Sequence, residues 1–415
     1  MQYKGSKKPL PEIARELNVD AVLEGAVERS GDRNRVSIRL DQVFPESQLW
    51  ANQYNRDIRD VLRLQDEIAR TVTDEIQIKL TSQQRARLAS ARSVNPEAHD
   101  AYLHGQFFLY QDKQELEARQ GVERNLQTAI SYFKQTIERD RDYAPAYAGL
   151  ADAYLALGAP SRGGGYPKAT SPQAKEAAAK ALELDPSLAE AHFSLAQINE
   201  FYDWNWSEAE NEYRAALQLN PNFAFAHLEY ARFVQAMGRN DEAITHVNYA
   251  LALDPFDFKM KYYWAWVIWA SRQYELAIEK FEPLGADLAL GWAYQKKEMY
   301  PEAIAALQRS VNKSHRHSLD LASLACVYGL AGNKSEALKL IAELRDRDRH
   351  HYVSRILFVH AYLGLGDKDQ ALTWLERAYE DRDQWMVYIN ATPILDSLRP
   401  EPRFQALVRR MNFPP

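Results

Sequence analysis

The stretch HLEYARFVQAMGRNDEAITHVNYALALDP, from His227 to Pro255, decides the fold of this chain. Its apolar and small residues recur every three to four positions on both sides of Gly238, a spacing typical of two amphipathic helices joined by a short turn. Glycine at that turn suits the left-handed backbone conformation in which many helices end, and Pro255 follows the second helix, where it opens the next element. The stretch therefore predicts a helical hairpin.

Two alanines of this stretch, Ala231 and Ala243, fall where the paired helices cross most closely. A larger side chain there would overpack the crossing by roughly 1–3 kcal/mol. The second alanine starts a pattern that recurs at Ala209, Ala243, Ala277, Ala303, Ala337 and Ala371, with successive separations of 34, 34, 26, 34 and 34 residues. A 34-residue period is that of the tetratricopeptide repeat. We predict a mainly α fold, an α-α superhelix of seven clear units and one degenerate unit.

Two interruptions break the repeat. A segment rich in glycine and proline runs from Ala159 to Tyr166 and beyond, and we interpret it as a flexible insertion. The 26-residue step between Ala277 and Ala303 means that one unit has lost about two helical turns, after Phe281. We expect a kink in the superhelix at that point.

Residues 1–80 have a different pattern. Alternating apolar residues in 21–28 and 35–43, joined by Ser30-Gly-Asp-Arg-Asn34, predict a β-hairpin. Apolar residues at every third or fourth position between Asp57 and Leu80 predict an amphipathic helix over its apolar face. Two strands alone form a marginal sheet. We therefore expect a small, truncated α/β domain that further strands upstream or a partner would complete.

The chain is thus predicted to have four segments: the α/β domain over 1–80, a linker over 81–97, the solenoid over 98–380 and a C-terminal capping segment over 381–415. In the last segment Trp385, Leu395, Leu398 and Phe404 no longer follow the repeat. Because a solenoid needs an atypical terminal element over its last apolar face, we interpret these four residues as a capping helix.

Several motifs resemble a known family, and the resemblance covers nearly the whole chain, including Tyr202-Asp-Trp-Asn-Trp206 before Ala209 and Trp385-Met-Val-Tyr388 in the tail. The string ARELNVDAVLEG from Ala14 to Gly25, followed by Gln48-Leu-Trp50 and by LQDEIA from Leu64 to Ala69, is similar to the TolB-like (FlgO-like) domain of bacterial signalling proteins. In that family tetratricopeptide repeats follow the domain. The resemblance implies that similar regions lie behind an effector, such as a winged-helix DNA-binding domain, a class III adenylate cyclase or a Ser/Thr kinase. It also implies that the first strand and helix of the domain precede Met1.

The sequence contains no phosphate-binding loop, no H-E-x-x-H or paired C-x-x-C motif and no G-x-S-x-G motif. His315-Arg-His317 and His350-His351 lack a cysteine or acidic partner at metal-ligand spacing, and Cys326 is the single cysteine. We therefore predict no enzyme activity, no cofactor and no metal site. The net charge of -6 gives no general attraction to nucleic acid, and no apolar run is long enough to predict a membrane span.

The first helix of each unit lines the concave surface of such a solenoid. Positions expected to face that groove are Phe193, Gln197, Arg232, Gln235, Tyr262, Trp266, Trp269, Trp292, Gln295 and Lys296. Aromatic side chains beside Arg and Lys suit a peptide or helix laid in a groove. Alternatively, Tyr262, Trp266 and Trp269 pack against the shortened unit after Phe281.

These observations predict a non-catalytic scaffold that binds a protein or peptide ligand in the concave groove and does not contact nucleic acid directly. We expect it in the cytoplasm, or outside it if a membrane anchor lies upstream. The alternative is the regulatory or sensory half of a larger signalling protein, a transcriptional regulator, adenylate cyclase or Ser/Thr kinase, whose effector domain is not in this sequence. An enzyme in its own right is disfavoured, because no segment is left over for a catalytic domain. The sequence does not define an oligomeric state.

Overall fold

The structure is a computed structural model that describes residues 8–17, 19–30, 33–43, 47–57, 64, 67–69, 71–72, 95–110, 119–159 and 166–414. The chain divides into two compact parts. The sheet part comprises residues 1–101 and 138–141, and the helical part comprises residues 102–137 and 142–415. Within the described ranges, no helix combines the length and the apolar character that crossing a bilayer requires.

In the sheet part, helix α1 (Leu10–Leu17) precedes an antiparallel sheet with strand order β1 (Ala21–Ser30), β2 (Arg33–Gln42) and β3 (Ser47–Asp57). Ile38 on β2 and Tyr54 on β3 are buried and pack with Leu64 in one small core. Val36 packs against the same core, as the alternation of β2 predicts.

The third strand corrects the sequence analysis, which predicted only two. β3 pairs with β2 along its length, with a register shift between Leu40 and Asp41. Its sequence, SQLWANQYNRD, is mostly polar and lacks regular alternation, so the pattern used for β1 and β2 did not identify it. The hairpin therefore finds a partner strand within this chain. Residues 31–32 of the predicted turn lie outside the described residues, as does most of the predicted helix from Asp57 to Leu80.

Eight helix pairs follow one another along the described chain, and they form the predicted mainly α superhelix. In order, they are α2 (Pro96–Tyr110) and α3 (Arg119–Arg139), α4 (Ala144–Gly158) and α5 (Pro167–Leu184), α6 (Ala189–Ile198) and α7 (Trp206–Leu219), α8 (Ala224–Ala236) and α9 (Asn240–Leu253), α10 (Phe258–Ala270) and α11 (Tyr274–Phe281), α12 (Asp287–Lys296) and α13 (Tyr300–Lys313), α14 (Ser318–Leu330) and α15 (Lys334–Asp348), and α16 (Arg355–Gly364) and α17 (Lys368–Glu380). We number these pairs repeats 1 to 8.

The residues that defined the repeat lie at the helix crossings and turns. Ala231 and Ala243 in repeat 4 are fully buried. Each helix therefore contributes only a methyl group at the crossing, and the two backbones approach each other closely. Gly238, between these helices, has a φ of 83°, in the left-handed region that glycine adopts without strain. The hairpin predicted from this stretch is therefore confirmed.

Repeat 5 is shortened where the spacing of the alanines predicts it. Helix α11 has 8 residues, against 14 in α9 and 14 in α13. A 3-10 turn at Glu282–Leu284 ends it, and Gly285 follows with a φ of 60°. The expected kink of the superhelix at this point stays a prediction. Residues 160–165 of the predicted insertion in repeat 2 lie outside the described residues.

The chain after repeat 8 differs from the single capping helix that the sequence predicts. It forms two 3-10 segments, Gln384–Tyr388 and Pro393–Leu398, and then helix α18 (Pro402–Met411). A continuous helix is disfavoured because an internal proline lacks the amide hydrogen that the helix requires. Of the four residues predicted for the cap, Leu395, Leu398 and Phe404 are buried, and only Phe404 lies in an α-helix.

The first helices of repeats 7 and 8 cross at glycine. A Cβ on Gly364 would lie 2.5 Å from Cys326 Cα, and one on Gly329 would lie 2.5 Å from the Gly364 carbonyl oxygen. These neighbours are backbone atoms, which cannot rotate away as a side chain does. Cys326 is buried at the same crossing, and burial raises the pKa of its thiol to about 12. The cysteine is therefore a packing residue held as the neutral thiol.

We expect Gly364→Ala to lower the free energy of unfolding by about 3 kcal/mol, because the new methyl group collides with the Cys326 backbone. Gly121→Ala is the matched control. Gly121 lies in helix α3 with no neighbour within 4 Å of a Cβ, so its substitution should be neutral or stabilise the chain by about 0.5–1 kcal/mol. Urea denaturation measures both, and equal stability of Gly364→Ala and the unchanged chain would show that the close crossing is not formed.

Candidate functional site

The ten residues predicted for the groove lie on the first helices of repeats 3 to 6, namely α6, α8, α10 and α12. Residues 383–398, which we call the C-terminal segment, lie against five of them. These five are Arg232, Trp266, Trp269, Trp292 and Lys296. The groove predicted from the sequence is therefore filled, along repeats 4 to 6, by a segment of the same chain.

Arg232 makes the most specific contact with this segment. Its Nη2 donates a hydrogen bond to the hydroxyl oxygen of Tyr388 at 2.5 Å, and its Nη1 donates to Glu229 Oε2 at 2.7 Å. The guanidinium also lies over the ring of Tyr263, 4.6 Å from the centroid. A charge-assisted hydrogen bond and a cation–π contact thus fix the same side chain, which orients the planar guanidinium.

A second carboxyl group, Glu200, is fully buried near this arginine. It lies on a π-helical segment, Asn199–Asp203, between α6 and α7. Glu200 Oε2 accepts a hydrogen bond from the Tyr213 hydroxyl at 2.6 Å, and Oε1 has no hydrogen-bond partner. Burial raises the pKa of Glu200 to about 8, although Tyr213 and Arg232 oppose the shift. Glu200 is therefore protonated at neutral pH, and Glu229 is the carboxylate that pairs with Arg232.

Tryptophans from two helices, α10 and α12, and from the C-terminal segment form the next part of the site. Trp266 packs edge to face against Tyr388, with ring centroids 5.5 Å apart, and Trp269 lies 5.8 Å from Trp292. Trp292 Nε1 donates to Ser323 Oγ at 2.9 Å. A cavity of about 30 Å³ remains between these rings and Trp385, enough for one or two water molecules.

The far end of the segment is held by polar contacts. Arg272 makes a bidentate pair with Asp396, at 2.5 and 2.8 Å, and Lys296 Nζ donates to the Pro393 carbonyl oxygen at 3.1 Å. Burial acts against ionisation of Asp396, but Arg272 and Arg399 hold the pKa of this carboxyl group below its ordinary value. Burial lowers the pKa of the Lys296 ammonium. Asp396 therefore stays ionised and paired.

The other five predicted groove residues have different surroundings. Phe193 is buried and packs against Phe223, Phe225 and Tyr213, within repeats 3 and 4. Of the remaining four, Gln235 is buried, and Gln197, Tyr262 and Gln295 are half-buried. The ring centroids of Tyr262 and Phe281 lie 5.7 Å apart, so Tyr262 packs against the shortened repeat, as the alternative prediction has it. Gln295 Nε2 lies 3.5 Å from Cys326 Sγ.

A second set of contacts joins repeat 3 to the end of the chain. The Arg382 guanidinium lies over the Trp204 ring, 4.2 Å from its centroid. Trp206 Nε1 donates to the Met411 carbonyl oxygen at 2.8 Å, and its ring stacks on Phe413 at 4.7 Å. Repeat 3 therefore holds the chain just before the C-terminal segment and at the end of α18, on either side of the residues that contact the groove.

Sequence reasoning missed Glu200, Tyr388 and Asp396. The available signals were the Trp385-Met-Val-Tyr388 string, which departs from the repeat, and YDWNW from Tyr202 to Trp206, which disrupts regular helix spacing. Neither string indicates its partner, because the residues they contact lie more than 100 positions away along the chain. Among the described residues, no group of three or more His, Cys, Asp or Glu side chains is placed to hold a metal ion.

Comparison with known proteins agrees with the repeat architecture. Residues 204–258 and 234–287 match the family model for the tetratricopeptide repeat, so the chain contains repeats of this class. A putative adenylate cyclase 3 of Rhizobium meliloti (strain 1021) is 30% identical over 196 residues, which are 47% of this chain and 31% of that protein. The match thus spans about a third of the length of that curated relative.

Three solved structures match this chain with low sequence identity and with TM-scores below 0.5. Yeast Tom70 is 16% identical with a TM-score of 0.45, over 77% of this chain and 69% of that chain. A chain of the APC/C hetero-tetramer Cut9-Hcn1 is 17% identical with a TM-score of 0.44, over 68% and 52%. A thermophilic tetratricopeptide protein of Thermus thermophilus, TTC0263, is 22% identical with a TM-score of 0.31, over 41% and 98%.

The raised pKa of Glu200 predicts a pH dependence of stability. Between the ordinary value of 4.5 and about 8, the folded chain keeps a proton that the unfolded chain releases. The stability contributed by Glu200 is therefore fully present below pH 4.5 and is lost as the pH rises towards 8, by about 1.4 kcal/mol per pH unit. Glu200→Gln removes this pH-dependent contribution to stability.

Urea denaturation across this pH range tests the expectation. The free energy of unfolding of the unchanged chain should fall relative to that of Glu200→Gln as the pH rises. Glu208→Gln, on the exposed side of α7 in the same repeat, is the control for a general charge effect and should follow the unchanged chain. Parallel pH profiles for Glu200→Gln and the unchanged chain would contradict the buried neutral carboxyl group.

Proposed function

We propose that this chain is a non-catalytic scaffold that binds a peptide or protein segment in the concave groove of its repeats. Its tetratricopeptide fold supports a protein–protein interaction scaffold. The single observation that carries the finer proposal is the contact of Arg232, Trp266 and Lys296 with residues 384–396. These groove residues already hold a segment that is not a continuous helix, through side-chain and carbonyl contacts.

The composition of the groove also fits this proposal. Tryptophan, tyrosine and arginine dominate the binding energy of protein interfaces, because they bury large surfaces and retain a polar group for orientation. Here Trp266, Trp269 and Trp292 provide the apolar surface, and Arg232 and Lys296 flank it with donors. Such a surface can bind an aromatic side chain and also donate hydrogen bonds to the backbone beside it.

A second proposal is that the chain is the regulatory region of a larger signalling protein, such as a transcriptional regulator, adenylate cyclase or Ser/Thr kinase. The 30% identity to a protein named a putative adenylate cyclase favours it. The gene sequence upstream of the Met1 codon tests it. An in-frame effector domain would support it, and a stop codon followed by a separate ribosome-binding site would exclude it. We also propose that residues 1–80 form a partial TolB-like domain and that the chain is located in the cytoplasm.

Photo-crosslinking in the native host tests the groove. A benzophenone amino acid at Gln197 or Gln295, on the first helices, should form an adduct with a discrete partner, and Trp266→Ala should abolish that adduct. The matched control positions are Tyr249 and Leu338, exposed on the second helices α9 and α15, where no adduct sensitive to Trp266→Ala is expected. Adducts that arise only at the control positions would place the interface elsewhere.

A further inference from the structure

The concave groove is occupied by the chain itself, at three points along 13 residues. The Trp385 and Tyr388 rings meet the tryptophans of α10 and α12, the Tyr388 hydroxyl accepts from Arg232, and Asp396 pairs with Arg272. This groove therefore binds two aromatic side chains three positions apart and a carboxylate eight positions after the second of them. None of these three contacts belongs to the repeat pattern.

We propose that residues 384–396 are an intramolecular ligand of the groove, and that the partner is a protein segment of the same chemistry, which replaces them. Such a partner carries an aromatic residue, a tyrosine three positions later and a carboxylate that reaches Arg272. This inference rests on the groove function proposed above. It adds the kind of ligand and the competition that regulates its access.

The fit between the groove and its own segment is incomplete. Arg232 Nε, Trp269 Nε1 and Glu200 Oε1 are buried without a hydrogen-bond partner in the described structure. All three lie at or beside the contact with the C-terminal segment. Because a buried donor without an acceptor destabilises the state that contains it, a ligand that offers an acceptor to Arg232 or Trp269 binds the groove better than the internal segment does.

The covalent connection compensates for this incomplete fit. Met386, Val387 and Ile389 are fully buried in the main hydrophobic core, and this burial adds to the stability of the bound segment. A tethered ligand has a high effective concentration, so a free competitor of equal intrinsic affinity binds only the small fraction of molecules with an open groove. Weakening the internal contacts should therefore increase the apparent affinity for an external peptide.

A synthetic peptide with the sequence of residues 382–400 is the probe, and fluorescence anisotropy with the full chain is the measurement. Trp385→Ala with Asp396→Asn, made in the chain, removes two internal contacts and leaves the groove helices unchanged. The peptide should bind this double variant at least about tenfold more tightly than it binds the unchanged chain. A peptide carrying Tyr388→Phe should bind about tenfold more weakly than the parent peptide, because it loses the hydroxyl that Arg232 contacts.

Arg272→Gln is a second variant that guards against misfolding of the first. Arg272 is half exposed, and its substitution removes the bidentate pair with Asp396, which keeps its contact with Arg399, without altering the segment or the cavity. It should increase the exchange of amide hydrogens in residues 384–396, while exchange in α8 and α10 stays unchanged. Segment amides that remain as protected as in the unchanged chain would identify the segment as permanent core and overturn the proposal.

Other outcomes of these measurements are equally decisive. If the peptide binds the double variant and the unchanged chain with affinities within twofold of each other, the proposal that residues 384–396 are an intramolecular ligand is overturned. A wild-type dimer that dissociates when the peptide is added would make a second copy of this chain the occupant and overturn the separate partner. If Gln295 crosslinks a partner in the host and the peptide binds neither form, the groove function stands and only the proposed chemistry of the ligand is wrong.

Discussion

The close crossing of two helices over paired alanines is the constraint on which the structure depends. Ala231 and Ala243, and their equivalents in the neighbouring repeats, are fully buried, so each hairpin is thin and the next one stacks directly on it. The first helices consequently form one continuous surface, and side chains from repeats 4, 5 and 6 reach the same short segment. Arg232 and Lys296 are 64 residues apart in sequence, and Trp266 lies between them. All three nevertheless contact one stretch of nine residues, from Tyr388 to Asp396.

The repeats could be predicted because their information is local. Each 34-residue unit contains its own crossing alanine and often its own turn glycine, as Gly238 shows, and the shortened repeat was visible as a missing eight residues in the spacing. Strand β3 was missed because pairing with β2 at the sheet edge needs no alternating apolar pattern. The C-terminal segment could not be placed, because the sequence spacing between Arg232 and Tyr388 is 156 residues and nothing local encodes the pair. The pKa of Glu200 depends on the same distant burial.

The groups around Arg232 show how a buried charge is tolerated. One arginine with two ionised carboxylates would leave a net negative charge in a site without solvent, which is strongly disfavoured. Protonation of Glu200 leaves the single pair of Arg232 and Glu229, and the Tyr213 hydroxyl satisfies one oxygen of the neutral acid. Tyr388 then completes the environment of the guanidinium without adding charge. A phenol, and not a further carboxylate, is the group that this arrangement selects at that position.

The indole rings at the groove have an optical consequence. Four of the nine tryptophans of the chain, Trp266, Trp269, Trp292 and Trp385, line the same cavity. Indole emission shifts to longer wavelength when the ring meets water, and neighbouring indoles exchange excitation over distances of this order. The intrinsic fluorescence of the unlabelled chain therefore changes when this one interface passes from dry to wet, because four indoles change their surroundings together.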